Sequence, residues 1–220
     1  MKKIFKSSIG RKIAMALSGI FLIVFLTQHF LINITSVFSE DIFNMLSHFM
    51  GNNPLVQFIL QPVLIAGVLF HFVMGFVLEW QNRKARPVTY AMYKGSKNSM
   101  FVSRNMIISG IVILSFLALH FYDFWVPEMD YKYVQSLPED PDRYYQELVH
   151  RFENPIRVGL YCVSFIFLSL HLIHGLSSST QSLGTNNKYA MTIKKFSYAF
   201  GIGIPIGFCF IALYHYFLHL

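Results

Sequence analysis

Four histidines stand in four different long apolar segments of the chain, at His29, His71, His120 and His171. An ionisable side chain inside an apolar span is costly and usually has a function. One such histidine would be equally well explained by a hydrogen bond between helices, but four in four segments favour a shared purpose. Neutral imidazole is a common axial ligand of a buried haem iron, so the pattern predicts two irons, each held by two histidines.

The segments that carry these histidines are long enough to cross a membrane. The 220-residue chain is 54% hydrophobic and 13% charged, which is typical of a multi-pass membrane protein rather than a soluble domain. A helix needs about 20 apolar residues to cross the bilayer core. The sequence has five such stretches, at 12–35, 56–80, 104–125, 156–178 and 196–218. We therefore expect an all-α membrane protein in which residues 1–220 form one bundle of five spans. The first stretch lacks a small-residue cleavage site and is expected to remain as a span.

Basic residues alternate between the segments that connect these spans. They precede the first span, lie between the second and third, and lie between the fourth and fifth: Lys2, Lys3, Lys6, Arg11 and Lys12; Arg83, Lys84, Arg86, Lys94, Lys97 and Arg104; Lys188, Lys194 and Lys195. The first loop carries only acidic charge, and the long loop before the fourth span is mixed and mainly acidic. The positive-inside rule then predicts a cytoplasmic N-terminus and an outside C-terminus. The net charge of +7 is thus explained by topology, without nucleic-acid binding.

The predicted topology sorts the four histidines by depth. At about 1.5 Å of rise per residue, His29 and His120 lie toward the outer ends of spans that run outward. His71 and His171 each follow the outer start of an inward-running span by about 15 residues and fall in the inner half. Two matched pairs at two levels are the arrangement that electron transfer across a membrane requires.

Glycines recur at fixed offsets from these histidines. Gly19 precedes His29 by ten residues, and Gly110 precedes His120 by ten. Glycine also follows both His71 and His171 by four residues, at Gly75 and Gly175. We expect each glycine to share a helix face with its histidine and to let a flat macrocycle approach the backbone. Because glycine is common in spans, one match alone would be weak. The offset of four favours His171 over His174 as the ligand, and His174 is expected to be a hydrogen-bonding neighbour.

At these residues the chain resembles the diheme cytochrome b membrane subunit of succinate:quinone oxidoreductases, the succinate dehydrogenase and fumarate reductase family, in its form with a single five-helix anchor. The resemblance covers nearly the whole chain. The segments that carry it are Gln28-His29-Phe30-Leu31-Ile32-Asn33, Ser47-His48-Phe49-Met50, His71-Phe72-Val73-Met74-Gly75, Gly110 through His120, and His171-Leu172-Ile173-His174-Gly175-Leu176.

The resemblance implies the roles of these histidines and the partners of the chain. His29 and His120 would hold a distal haem b, and His71 and His171 a proximal haem b. A flavoprotein that interconverts succinate and fumarate and an iron–sulfur protein would bind the cytoplasmic side. Electrons would pass between that iron–sulfur protein and a membrane quinone, with menaquinone favoured by the diheme form. Such a subunit belongs to the respiratory chain of a bacterial cytoplasmic membrane.

Further residues are candidates for contacts with these groups. Ser103, Arg104 and Lys195 lie at the predicted inner boundary, where anionic haem propionates are expected, although the two cations fit topology-setting charge equally well. Gln28, Glu40, Asp41 and Asp123 lie toward the outer side, where the quinone is expected to exchange protons. Some family members have a glutamate two residues before the fourth ligand, linked to transmembrane proton transfer. Here that position is Ser169, which puts such a route in doubt.

Other functions have weaker support in the sequence. No nucleotide-binding glycine motif or hydrolytic cluster occurs, and the absence of C-x-x-C-H means that any haem would be held noncovalently. Cys162 and Cys209 are expected to act as small buried apolar side chains. A different diheme cytochrome b, or a transporter with histidines along a proton or metal path, remains an alternative. A transporter should also have carboxylates along its path, yet Glu79 near an inner end is almost alone in the spans.

Two expectations concern the outer loops. Tyr144, Leu148 and Phe152 recur at helical spacing after a turn-rich acidic start, which predicts a short amphipathic helix on the outer face, the alternative being an ordered loop. The remaining histidines lie in loops or near span ends and are expected to be exposed to water: His48, His150, His215 and His219.

Overall fold

A computed structural model describes residues 7–84, 106–185 and 188–218, and within them all extended regular structure is helical. We number seven helices in chain order. They are α1 (Ser8–Ile34), α2 (Glu40–Asn52), α3 (Val56–Lys84), α4 (Met106–Val134), α5 (Arg143–Phe152), α6 (Pro155–Ser182) and α7 (Ala190–Leu218). A short 3-10 turn, Thr35–Val37, follows α1.

Five of these helices, α1, α3, α4, α6 and α7, are long and apolar enough to cross a membrane. The prediction of five spanning helices is therefore confirmed, although the helices extend past the apolar stretches. The ends follow from local chemistry. The Ser7 hydroxyl caps α1 by accepting a hydrogen bond from the Gly10 N–H at 2.9 Å, and Asn154 caps α6, which starts at Pro155. After α6, Gly184 adopts a φ of 95°, a conformation that favours glycine.

Helix α4 differs most from expectation, because it continues nine residues beyond the predicted end at 125. It does so through two π-helical turns, Phe121–Trp125 and Asp130–Val134, joined by a single α-helical turn. Such turns often occur at functional sites. A π-helical turn contains one residue more than an α-helical turn, which changes the direction of the side chains around it. The first of them begins directly after His120 and turns Asp123 into the bundle, where it is 1% exposed.

Helix α6 is the centre of the bundle. It packs against α1, α4 and most extensively against α7, while α1 also packs against α3. The α6–α7 contact is close because Gly201 faces the backbone of Ile173: a Cβ at Gly201 would lie 2.8 Å from the Ile173 nitrogen. Missing side chains of this kind let helices approach each other within a membrane.

Two short helices, α2 and α5, cover the end of the bundle where α1 finishes and α6 begins, which we call the outer end. The predicted amphipathic helix is confirmed as α5, with Leu148, Val149 and Phe152 buried. Helix α2 was not predicted. It starts at Glu40, is capped by the preceding Ser39 and packs against α5.

A charged cluster fixes this cover to α4. The Arg143 guanidinium contacts the carboxylates of Glu128 and Glu147 and lies over the rings of Tyr131 and Tyr144 at 4.1 and 4.5 Å. Burial lowers the pKa of Arg143, but its hydrogen bonds to the two glutamates outweigh burial and raise the pKa overall. Burial and the Glu128 charge raise the pKa of Tyr144 to about 12. Both side chains therefore keep one protonation state at neutral pH.

The α6–α7 contact makes a testable prediction. Gly201→Ala should destabilise the protein by about 1–3 kcal/mol, because its methyl group would meet backbone that cannot move aside. The matched control is Gly203→Ala in the same helix, where nothing lies within 4 Å of the added Cβ. That variant should stay within about 1 kcal/mol of the wild type. Thermal unfolding in detergent, followed by size-exclusion fluorescence, compares the two, and equal midpoints would contradict the packing described.

Candidate functional site: two histidine pairs

The first pair joins His29 of α1 to His120 of α4, and we call it the outer pair after its predicted side. The ring centres are 5.7 Å apart and the rings are nearly perpendicular, at 85°. Each ring stacks on a phenylalanine four residues earlier in its own helix, Phe25 at 5.6 Å and Phe116 at 5.8 Å. Phe208 of α7 approaches His29 at 5.8 Å. The two imidazoles thus lie side by side among aromatic rings.

The second pair joins His71 of α3 to His171 of α6, and we call it the inner pair. Its ring centres are 6.3 Å apart at an interplanar angle of 67°. His174, one turn further along α6, has no ring contact with His71 among those described. The spatial pairing is the one expected from depth. Iron ligation by these residues stays a prediction.

The separation within each pair matches the size of a metal ion held between two imidazoles. A metal–nitrogen bond is about 2 Å long and each nitrogen is about 1 Å from its ring centre, so two ligating rings have centres about 6 Å apart. Both pairs meet this value. Groups of three or more metal-binding side chains do not occur in the described part of the chain. The four histidines therefore suit a centre that needs only two protein ligands, as haem iron does.

A serine from a neighbouring helix contacts each histidine of the inner pair. The Ser18 hydroxyl of α1 lies 3.0 Å from Nδ1 of His71, and the Ser109 hydroxyl of α4 lies 3.2 Å from Nδ1 of His171. Both contacts involve Nδ1, which leaves Nε2 as the nitrogen free to bind a metal. The second ring nitrogen of a metal-binding histidine usually has such a partner.

Sequence reasoning missed these serines, although a repeat in the chain contains them. Residues 15–30 and 106–121 are identical at eight of sixteen positions: Met15/Met106, Ser18/Ser109, Gly19/Gly110, Ile20/Ile111, Phe25/Phe116, Leu26/Leu117, His29/His120 and Phe30/Phe121. The serine precedes the histidine by eleven residues in both copies. Eleven residues are three helical turns plus about 20°. Serine and histidine therefore share one helix face, at two levels about 16 Å apart.

The glycines of the repeat border the inner pair, not the outer one. A Cβ at Gly19 would lie 3.6 Å from Cε1 of His71, and a Cβ at Gly110 would lie 4.0 Å from Cε1 of His171. The expectation that each shares a face with the histidine ten residues later was wrong. Ten residues fall about 80° short of three full turns, so the glycine and the histidine lie on different faces of the helix.

Gly75 and Gly175, which follow the inner histidines by four residues, lie against the two methionines of the repeat. A Cβ at either would be 3.6 Å from the methyl group of Met15 or Met106, respectively. Helix α1 therefore meets α3 in the same way that α4 meets α6.

A buried ion pair adjoins the outer pair. Asp123, in the π-helical turn after His120, contacts the Arg157 guanidinium and accepts a hydrogen bond from the Tyr161 hydroxyl at 2.8 Å. The Tyr161 ring lies 6.3 Å from the His120 ring. Among the quinone candidates, Asp123 is thus the buried one, and its partner Tyr161 lies beside His120.

The other quinone candidates do not gather around Asp123. Gln28 is exposed beside His29 and donates to Met50 Sδ of α2 at 3.4 Å. Glu40 accepts from Gln146 at 3.3 Å, and Asp41 is exposed at the start of α2. These three lie along α2 and its contact with α1.

Of the three propionate candidates, the structure describes Lys195 alone. Ser103 and Arg104 fall outside the described residues, and Lys195 is exposed near the start of α7. His174 is half-buried on α6.

The expectation that His215 is exposed to water was wrong. Its side chain is 0% exposed, its Nε2 lies 2.9 Å from the Ser36 hydroxyl, and its ring packs on Tyr145 of α5 at 5.5 Å. The cause is the packing of α5 and of the 3-10 turn after α1 against the end of α7. His150 is exposed as expected, His48 is partly exposed, and His219 lies outside the described residues.

Both cysteines are free thiols, and the Cys209 thiol approaches the Cys162 carbonyl at 3.9 Å.

No family model, curated protein or solved structure matches the chain. Its function must therefore be inferred from these residues and their geometry.

His215 provides a test of the outer end. His215→Ala should destabilise the protein by about 2–4 kcal/mol, because it leaves a cavity where a fully buried ring packs on Tyr145 and contacts the Ser36 hydroxyl. His150→Ala is the control: that side chain is 75% exposed, and its loss should change stability by less than about 0.5 kcal/mol. Thermal unfolding in detergent distinguishes them. A His215 variant as stable as the control would mean that α5 does not cover this histidine.

Proposed function

We propose that the chain is the diheme cytochrome b membrane anchor of a succinate dehydrogenase or fumarate reductase complex, which carries electrons between an iron–sulfur subunit and membrane quinone. The observation that carries this proposal is the presence of two histidine pairs, each with the ring separation of a bis-imidazole metal centre. The helical rise puts the two pairs about 16 Å apart in an apolar bundle. Two centres stacked in this way suit electron transfer from one side of a membrane to the other.

In this proposal the chain supplies ligands, orientation and exclusion of water. His71 and His171 would hold the proximal haem b, while His29 and His120 would hold the distal one. Bound haem would provide the one-electron chemistry. Phe25 and Phe116, stacked on the outer histidines, would fix the ring orientations and keep water from them. All four helices that bear the ligands meet in one bundle, which would hold the two centres at a fixed separation.

The partners follow from the proposed topology. A flavoprotein and an iron–sulfur protein would bind the cytoplasmic end, next to the inner pair, in a bacterial inner membrane. Quinone, with menaquinone favoured, would react near the outer pair. Asp123 is the side chain best situated to exchange a proton there, because it lies three residues from His120 and bonds to Tyr161. Gln28 is exposed beside His29, and Glu40 and Asp41 lie at the start of α2; these three have less support.

The contacts of the acidic side chains count against a transporter. Among the residues described, Asp123 is the one buried carboxylate, and it is paired with Arg157 at one end of the bundle. Glu79 is paired with Arg83 at the other end. A proton or metal path along the histidines would need acidic groups between these levels, and the described spans place none there.

The decisive experiment is reduced-minus-oxidised absorbance of the purified full chain, with haem stoichiometry. We expect two haem b per chain. His29→Ala and His120→Ala should each remove the same haem, and His71→Ala and His171→Ala the other, because each haem loses one of two axial ligands. His150→Ala is the exposed control and should retain both.

Three outcomes would contradict parts of this proposal. Absence of a b-type absorption band would overturn the cytochrome assignment. Loss of a haem in His174→Ala but not in His171→Ala would identify His174, and not His171, as the ligand of that haem. Isolation of the intact membrane complex without a flavoprotein and an iron–sulfur protein would remove the succinate assignment but leave the cytochrome.

A further inference from the structure

We propose that Ser18 and Ser109 are positioning residues of the inner pair, which fix the tautomer of His71 and His171 and thereby lower the reduction potential of the haem held there. This inference rests on the proposed function, and it assigns to two serines a role that acts on only one of the two centres.

The hydrogen bonds of each serine define the direction of its contact with histidine. The Ser18 hydroxyl donates its proton to the Met15 carbonyl at 2.8 Å, and the Ser109 hydroxyl donates to the Met106 carbonyl at 2.9 Å. A serine hydroxyl has a single proton. The contact of 3.0 or 3.2 Å with the ring must therefore run from Nδ1–H of the histidine to the serine oxygen.

This direction fixes the tautomer of both inner histidines. A neutral imidazole that carries its proton on Nδ1 has its lone pair on Nε2. The serines thus hold both rings in the form that can bind iron through Nε2. Because Ser18 belongs to α1 and Ser109 to α4, each hydrogen bond also links the helix of an inner ligand to the helix of an outer one.

The outer pair has no equivalent hydrogen bonds among the residues described. Nδ1 of His120 is buried without a hydrogen-bond partner. The amide nitrogen of Asn33 lies 3.4 Å from Nδ1 of His29 but donates to the His29 carbonyl at 2.8 Å, and an NH2 group cannot accept a proton from the ring. The serine hydrogen bonds therefore distinguish the inner pair from the outer one.

A hydrogen bond from the second ring nitrogen changes the electron donation of the ligand. It makes the imidazole a stronger base toward the metal. A stronger donor stabilises the oxidised, more positively charged iron, which lowers the reduction potential. Loss of either serine hydroxyl should therefore favour the reduced form of the inner haem and leave the outer haem unchanged.

The test uses Ser18→Ala, Ser109→Ala and the double variant of the full chain, with each haem followed by redox titration of its absorbance. At a fixed ambient potential, each single variant should raise the ratio of reduced to oxidised inner haem about fivefold, the factor that corresponds to one ordinary hydrogen bond. The double variant should show the larger change. His71→Ala and His29→Ala identify which band belongs to which haem.

Two further variants separate positioning from packing. Ser115→Ala removes an exposed hydroxyl of α4 that donates to Ile111 at 3.1 Å and contacts no histidine among the described residues, so both potentials should stay at the wild-type value. Ser109→Thr retains a hydroxyl and should keep the wild-type potential of the inner haem.

The outcomes that overturn the inference differ from those that overturn the proposed function. Two bound haems with unchanged potentials in both serine variants would overturn the inference alone, as would equal shifts of both haems. Lower haem content with no change in potential would show that the serines only support packing, which also overturns it. Wild-type protein without haem would overturn both the inference and the proposed function.

Discussion

An imidazole within the apolar part of a membrane needs a partner for its polar ring atoms, and this need organises the bundle. Water is not available there, and an unpaired polar group costs several kcal/mol in such surroundings. Four helices, α1, α3, α4 and α6, bring histidine against histidine at two levels. In the inner pair, a serine hydroxyl also contacts Nδ1 of each histidine. The same four helices pack on one another, α6 against α1 and α4, and α1 against α3.

The bundle is built from two similar halves. Helix α1 meets α3 as α4 meets α6, with the same methionine, serine and glycine at the contact in both halves. The halves differ in what surrounds them. Helix α6 is covered by α7, whereas α3 has no buried residue in its apolar window. Among the described residues, α6 thus forms the interior of the bundle and α3 lies at its edge.

Much of this arrangement could be predicted from the sequence, and the failures have physical reasons. Five apolar stretches and the depth of four histidines depend on length and rise per residue, which the sequence contains directly. The role of Gly19 was missed because a helix carries it to another face than His29. Ser18 was missed because a hydroxyl in a span usually bonds its own helix, and this one does so as well. The burial of His215 depends on α5 and on the turn Thr35–Val37, whose packing against α7 joins residues far apart in the sequence.

The shared face of α1 constrains the number of residues between Ser18 and His29 more than their identity. Six of the ten intervening positions differ between the two copies of the repeat, yet the count is the same. One residue more would rotate His29 by about 100° about the helix axis and turn it away from His120, while Ser18 would stay beside His71. The number of residues between serine and histidine therefore sets both the distance and the angle between the two pairs, so an insertion or a deletion in this stretch would separate the partners of one pair.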